Sequence, residues 1–154
     1  MEVGQKKKHS LLKKAGLFFV VLLLVAAGWV WFVFTEKFSD TSEISPAFTV
    51  TAMDLIHEFE KNDSLANRKY AEKIMVVNGE VSAVEGVDST VNIKMADSTS
   101  GSYVIFAFQQ QHLGQAKKIK LGEKVSIKGS CSGGAYSKIL ETEFITFKRC
   151  AINN

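Results

Sequence analysis

The fold is decided by residues 74–84, which read IMVVNGEVSAV. β-branched and apolar side chains dominate this run, which is typical of a long β-strand. Gly79 interrupts the run near its middle, and a glycine inside a strand often marks a bulge or a sharp bend. Small closed barrels need such bends, because their strands must turn a corner. This segment therefore predicts a bent strand in a small barrel.

Four more strands are predicted after this segment. Alternating apolar and polar residues, or short apolar runs, define each of them, at residues 91–95, 103–108, 125–129 and 144–152. Residues 109–121 are polar and compatible with a helix, and Leu121-Gly122-Glu123 is typical of a helix end followed by a turn. A loop containing glycines precedes the last strand.

One helix is predicted before the first strand. Thr51 can cap it, with Asp54 three residues later as in a capping box. Its apolar stripe has helical spacing and comprises Ala52, Leu55, Ile56 and Phe59. A helix, three strands, a short helix and two strands follow in the order of an OB-fold, a five-stranded Greek-key barrel. The predicted fold class is therefore mainly β, with one transmembrane helix in front, for the reasons given below.

Two groups of residues resemble the bacterial tRNA_anti-like OB-fold family. The first group comprises Asp54-Leu55, Glu58-Phe59, Ala66-Asn67-x-x-Tyr70-x-x-Lys73 and Val77-x-Gly79-x-Val81. The second runs from Leu121-Gly122-Glu123 to Cys131-x-Gly133 and ends with a strand closing on Cys150. The resemblance spans roughly residues 48–152 and implies a small exported or membrane-attached OB-fold protein. Kinship with tRNA anticodon-binding domains does not by itself transfer their function.

An apolar segment precedes this domain. Residues 15–34, AGLFFVVLLLVAAGWVWFVF, carry no charge, amide or hydroxyl group, and a helix of that length spans the ~30 Å core of a bilayer. A cleaved signal peptide and a buried core helix are the alternatives, but the apolar region of a signal peptide is usually only ~7–15 residues long. We therefore expect a basic stub at residues 1–14, a signal-anchor at 15–34, a polar linker at 35–47 and an OB-fold domain at 48–154.

Charge is distributed unevenly around this segment. Residues 1–14 contain five lysines and one glutamate, and few charges follow the segment closely, so the N-terminus should stay in the cytoplasm and the domain should be extracytoplasmic at the cell (inner) membrane. From residue 39 onward, thirteen basic residues face fourteen acidic ones. The net charge of +3 therefore comes from the stub, and the near-neutral domain has no strong general attraction to phosphate backbones.

Cysteine and histidine usage points to no catalytic or metal site. Cys131 and Cys150 suggest a disulfide in an exported domain, but a direct hairpin would hold them beyond the ~4.4–6.8 Å Cα separation of a bridge, so a disulfide and two separate thiols both stay open. His9, His57 and His112 are far apart in sequence and accompany no ligand spacing. No cofactor motif is found. The sequence predicts a protein that is not an enzyme and holds no metal or cofactor.

A candidate ligand face lies on the second and third predicted strands, where OB-folds bind their ligands. If the apolar residues point inward, the outward residues are Asn92, Lys94, Tyr103 and Ile105. Tyr136 and Lys138 are predicted in the loop before the last strand and could lean over the same face. Tyrosine beside lysine can stack on a ring while pairing with an anionic group. The alternative is that Tyr103 and Ile105 simply pack under a helix or loop.

These observations predict a single-pass membrane protein that presents a non-enzymatic OB-fold binding module. Its expected ligand is a protein or an envelope component. Binding of nucleic acid or oligonucleotides is the alternative, which the OB-fold resemblance favours and the charge of the domain disfavours.

Overall fold

A computed structural model describes residues 5–35, 40–87 and 90–153. The chain divides into two compact units, residues 1–38 and 39–154. The first contains helix α1, Gln5–Thr35, whose large apolar side chains between Phe18 and Phe32 are exposed. In the part of the chain that the structure describes, no helix is both long enough and apolar enough to cross a membrane, so the predicted transmembrane helix is not found there. Residues 1–4 of the predicted stub and 36–39 of the predicted linker lie outside the described residues.

In the second unit, the first helix agrees with its prediction, whereas the last described helix is shorter than predicted. They are α2 at Ala52–Lys61, α3 at Asp63–Tyr70 and α4 at Leu113–Ala116, with 3-10 turns at Thr41–Glu43 and Gln110–His112. Thr51 caps α2 as predicted, because its Oγ1 accepts a hydrogen bond from the Asp54 backbone N–H at 3.1 Å. The helix predicted over residues 109–121 is reduced to one turn of 3-10 helix and the single turn of α4.

The described residues form a sheet of seven strands, two more than predicted. The strands are β1 at Phe48–Thr51, β2 at Ile74–Glu80, β3 at Ala83–Val87, β4 at Thr90–Ala96, β5 at Tyr103–Phe108, β6 at Lys124–Ser137 and β7 at Thr142–Ile152. Their order is β1-β2-β6-β7-β5-β4-β3. Strand β1 runs parallel to β2 and β5 runs parallel to β7, whereas the other neighbouring pairs are antiparallel.

The two additional strands have different origins. The long strand predicted over residues 74–84 is divided into β2 and β3, because the backbone changes partners at its bend. Val81 donates its N–H to Glu123 O at 2.9 Å, and Ser82 donates to Lys94 O at 2.8 Å. Strand β2 therefore pairs with β6, and β3 pairs with β4. The continuous chain from β2 to β3 thus links opposite sides of the sheet, as in an OB barrel. The other addition is β1, a short strand on the outer side of β2.

The hairpin of β6 and β7 is longer than the sequence indicates. The fourth strand was expected to end at Gly129, but β6 continues to Ser137 and pairs with β7 up to Thr142. Two register shifts bend β6. Gly133, at the second shift, has a backbone φ of +99°. The Asn67 side chain bonds both backbone groups of Gly134, which covers part of the free edge. The region from 133 to 137 is therefore a bent strand and not a loop.

The core fills the barrel and extends under α2. Fully buried side chains from α2 meet those from β4, β5, β6 and β7, and they include Leu55, Ile56, Phe59, Ile93, Met95, Val104, Phe106, Ile127, Ile145 and Phe147. Residues 40–47, which the sequence assigns to the linker, also contact the barrel. The Asp40 carboxylate lies 2.8 Å from His112 Nε2, and Lys128 Nζ donates to Ser42 O at 2.9 Å. We call residues 40–44 the strap.

Candidate ligand-binding face

The outward face of β4 and β5 carries the four strand residues that the sequence predicted. Lys94 lies opposite Ile105, and Asn92 lies one row away on the same side of β4. All four predicted residues, Asn92, Lys94, Tyr103 and Ile105, are half-buried, whereas the residues between them are buried. This alternation follows from the two-residue period of a strand. The structure therefore brings these four side chains onto one face.

Two aromatic rings and a lysine form the most distinctive feature of this face. The rings of Tyr103 and Phe144 are stacked, with centroids 6.3 Å apart and planes inclined by 25°. Lys94 Nζ lies 5.0 Å from the centroid of the Tyr103 ring and 2.7 Å from Glu85 Oε1 of β3. We call Tyr103, Phe144 and Lys94 the aromatic platform. It offers a partly exposed flat apolar surface beside a fixed cation.

Phe144 was missed because its pairing with β5 is not local. Tyr103 and Phe144 are partners in the parallel register of β5 and β7, although 41 positions separate them in the chain. The only sequence signal was the alternation of Phe144 and Thr146 with residues that prove to be buried, Ile145 and Phe147. That alternation places Phe144 on the outside of the last strand, but it does not indicate its neighbour.

Tyr136 does not join the platform. Tyr136 lies in β6 opposite Glu143, whereas the adjacent Ala135 lies opposite Phe144. Since consecutive side chains of a strand point to opposite faces, Tyr136 points away from the face of Phe144. Lys138 lies in the turn between β6 and β7. The expectation that Tyr136 leans over the face of Tyr103 therefore has no support in the structure, whereas the expectation for Lys138 stays a prediction.

The two cysteines are free and fully buried. Cys131 pairs with Phe147 across the hairpin, and Cys150 Sγ occupies the space beside Gly129, where an added Cβ would lie 2.6 Å from it. Burial raises the pKa of the Cys131 thiol to about 11 and also raises the pKa of Cys150. Of the two alternatives left open by the sequence, the structure has separate thiols. Neither is a ready nucleophile, because the thiolate is the reactive form.

The described residues contain no group of three or more histidine, cysteine, aspartate or glutamate side chains suited to hold a metal ion. A wide groove of about 980 Å³ lies beside the start of α2, over the paired residues 78–80 of β2 and 124–126 of β6. Its lining is dominated by small or short side chains, such as Ala52, Gly79, Ser82 and Ser126. Asn78, Glu80 and Lys124 also line the groove, but no aromatic side chain is among the described residues that line it. We favour the aromatic platform as the ligand site, because it presents stacked rings beside a positioned cation.

Comparisons with known proteins agree with this architecture. The sequence profile of the tRNA_anti-like family matches residues 1–142. Among solved structures, the chain is similar to a candidate nucleic acid-binding lipoprotein from Klebsiella pneumoniae, with 15% identity, a TM-score of 0.51, and coverage of 68% of this chain and 91% of that one. An aspartyl-tRNA synthetase from Entamoeba histolytica is similar at 13% identity and a TM-score of 0.41, over 71% of this chain and 25% of the synthetase. No curated protein sequence matches the chain. At 15% identity, the likeness to the lipoprotein concerns the fold alone.

Proposed function

Because the chain belongs to the tRNA_anti-like family of OB-fold proteins, we propose that it is a membrane-attached, non-enzymatic module that binds a protein or envelope component through the aromatic platform. The observation that carries the proposal is the stacked pair of Tyr103 and Phe144 with Lys94 beside it. The cross-strand register fixes these side chains before any ligand arrives, which lowers the entropic cost of binding.

The chemistry of the platform favours a particular kind of ligand group. A flat apolar or ring-bearing group can lie on the aromatic surface, and a nearby anionic or carbonyl group can reach Lys94. Glu85 holds Lys94 at 2.7 Å and neutralises much of its charge, so a highly charged ligand is disfavoured. A peptide segment with an aromatic residue or a sugar ring of an envelope component fits these requirements.

Membrane attachment is the second part of the proposal. It is supported by the uncharged run at residues 15–34, the five lysines ahead of it and the exposed apolar side chains from Phe18 to Phe32. We place the N-terminus in the cytoplasm and the domain outside it. Resistance of the full chain to alkaline extraction, together with a reporter after Asn154 that is active only outside the cytoplasm, tests this part. Extraction into the soluble fraction or a cytoplasmic reporter signal would contradict it.

The ligand site is tested by capture from cross-linked envelopes. We expect the full chain to retain a specific partner that is lost when Tyr103→Ala and Phe144→Ala are combined. Leu121→Ala is the control, because Leu121 is an exposed apolar side chain in the turn before β6. Retention of the partner by the double variant would refute the platform as the ligand site, and loss of the partner in the control would show that the effect is not specific to the platform. Thermal unfolding of both variants shows whether the domain remains folded.

A second candidate is binding of single-stranded nucleic acid. The stacked rings favour it, because bases of any sequence can stack on aromatic side chains. The slight acidic excess of residues 39–154 and the pairing of Lys94 with Glu85 disfavour it. Affinity for single-stranded DNA and RNA at two salt concentrations separates the candidates, since binding to phosphates weakens steeply as salt rises. No binding at low salt would exclude this candidate.

A further inference from the structure

The tip of the β6–β7 hairpin exposes large apolar side chains to solvent. We call residues 136–141, YSKILE, the hairpin tip. Ile139 is 93% exposed and its neighbour Leu140 is 62% exposed, while Tyr136 at the base of the tip is 51% exposed. Single exposed apolar residues are common on protein surfaces, whereas contiguous exposed apolar patches mark interaction sites.

The hairpin tip is a projecting and supported structure. Strand β2 pairs with β6 as far as Ser130, and the Cys131 backbone bonds residues 72 and 73. Among the described residues, β6 pairs with β7 alone from Ser132 onward. The side chain of Asn67 anchors this extension at Gly134, and Ser137 Oγ accepts a hydrogen bond from the Leu140 N–H at 3.3 Å. Ile139 and Leu140 therefore lie at the end of the paired residues 131–137 and 142–147, which we call the stalk.

We propose that the hairpin tip inserts its aliphatic side chains into the interfacial region of a lipid bilayer. The flanking side chains suit that environment, because tyrosine places an apolar ring and a hydroxyl at the boundary and lysine can extend its amine towards water. The inference rests on the membrane attachment in the proposed function, which supplies a bilayer as the nearest apolar phase. Lys138 and Glu141 give the tip no net charge, so anionic lipids are not required.

Insertion would set the position of the aromatic platform. Ala135, three residues before Lys138, lies directly opposite Phe144 in the hairpin register. The face that carries Phe144 therefore continues along the same stalk that carries the tip. A tip held in the lipid interface would keep the platform close to the membrane surface, where an envelope component is encountered.

Fluorescence quenching on the full chain in lipid nanodiscs tests this inference. Ile139→Cys carries an environment-sensitive thiol label, and Leu121→Cys is the matched control, because Leu121 is a 72% exposed leucine in another turn of the domain. Cys131 and Cys150 are buried and react slowly, so the engineered thiol takes the label. We expect quenching of the label at 139 by spin-labelled lipid and its protection from aqueous iodide, with the reverse at 121.

Each outcome decides the proposal. If iodide quenches the labels at 139 and 121 equally in nanodiscs, the tip does not enter lipid and the inference is wrong. Protection of the label at 139 from iodide without quenching by spin-labelled lipid would identify a protein surface, such as a second copy, as the occupant and would also overturn it. Alkaline extraction of the same preparations separates the two proposals: a retained chain with an iodide-accessible tip refutes the inference alone, whereas an extracted chain refutes the anchor.

Discussion

Replacement of Asn67 by alanine should destabilise the hairpin stalk. The Asn67 Nδ2 donates to Gly134 O at 2.9 Å, and the Gly134 N–H donates to Asn67 Oδ1 at 3.0 Å. This amide therefore satisfies both backbone groups of one residue in β6, as a neighbouring strand would. Asn67→Ala removes both bonds at once and supplies no substitute.

The magnitude follows from the burial of these groups. An intramolecular hydrogen bond contributes about 0.5–1.5 kcal/mol net, and a buried group left without a partner costs about 1–3 kcal/mol. Gly134 is half-buried, so water can reach it in part after the substitution. We expect a loss of about 2–3 kcal/mol for the pair, which corresponds to an increase of about 30- to 150-fold in the population of the opened hairpin.

The buried thiols provide the assay on the full chain. Cys131 lies in β6 at the start of the stalk and is fully buried, so it reacts with a thiol reagent only after opening. Under conditions in which labelling is slower than reclosing, the labelling rate reports the population of the open state. Asn67→Ala should accelerate the labelling of Cys131 by that 30- to 150-fold factor, about 2–3 kcal/mol.

A second asparagine serves as the control. Asn153 Nδ2 donates one hydrogen bond of 3.2 Å to Ser126 Oγ, so Asn153→Ala removes a single bond between side chains. It should accelerate labelling by no more than about fivefold, or roughly 1 kcal/mol. Equal rates for the two variants would refute the argument that Asn67 replaces a strand partner, as would an acceleration below about threefold in Asn67→Ala.

Three further predictions concern packing and charge. Gly129→Ala should lower the melting temperature through overpacking of about 1–3 kcal/mol, because its Cβ would lie 2.6 Å from Cys150 Sγ, and Cys150→Ala should restore part of the loss. The hydrogen bond with His112 lowers the pKa of Asp40. The stability that the ionised Asp40 contributes is therefore present above the ordinary carboxyl pKa and is lost as pH falls. Hydrogen-exchange protection of the strap should drop in acid, and in Asp40→Asn this protection should be insensitive to acid. Burial raises the pKa of Glu143, so the ionisation of this carboxyl group costs stability as pH rises. Glu143→Gln should therefore raise the melting temperature at neutral pH and have little effect on it in acid.

Local patterns predicted the elements whose stability is local or whose two faces differ. Strands β4 and β5 alternate buried and half-buried residues, and their predicted bounds fall within one residue of the observed ones. Helix α2 has a capping residue and an apolar stripe, both of which are visible in the sequence. Strand β1 has only four residues and depends on its pairing with β2, which no local pattern reveals.

The outward face of β4 and β5 was predicted in part, because it depends on the same local alternation. Lys94 and Tyr103 follow from the alternation of their own strands, and they meet as expected. The orientation of Tyr136 depends on the two register shifts of β6, and a shift of one residue reverses the face to which a side chain points. Those shifts are set by contacts with other elements, so the sequence of the strand could not determine them.

The glycines of β6 explain why one strand can serve several elements. An added Cβ would lie 2.6 Å from Cys150 Sγ at Gly129 and 2.6 Å from a Phe59 ring carbon at Gly134, and at Gly133 it would collide with Asn67 Oδ1. Each glycine thus makes room for a side chain from a different element, namely β7, α3 and α2. The stretch that resembles a flexible loop in sequence is therefore where the helices and the hairpin are joined to the barrel. Because β7 carries Phe144 and pairs with this part of β6, these close contacts also hold the aromatic platform in place.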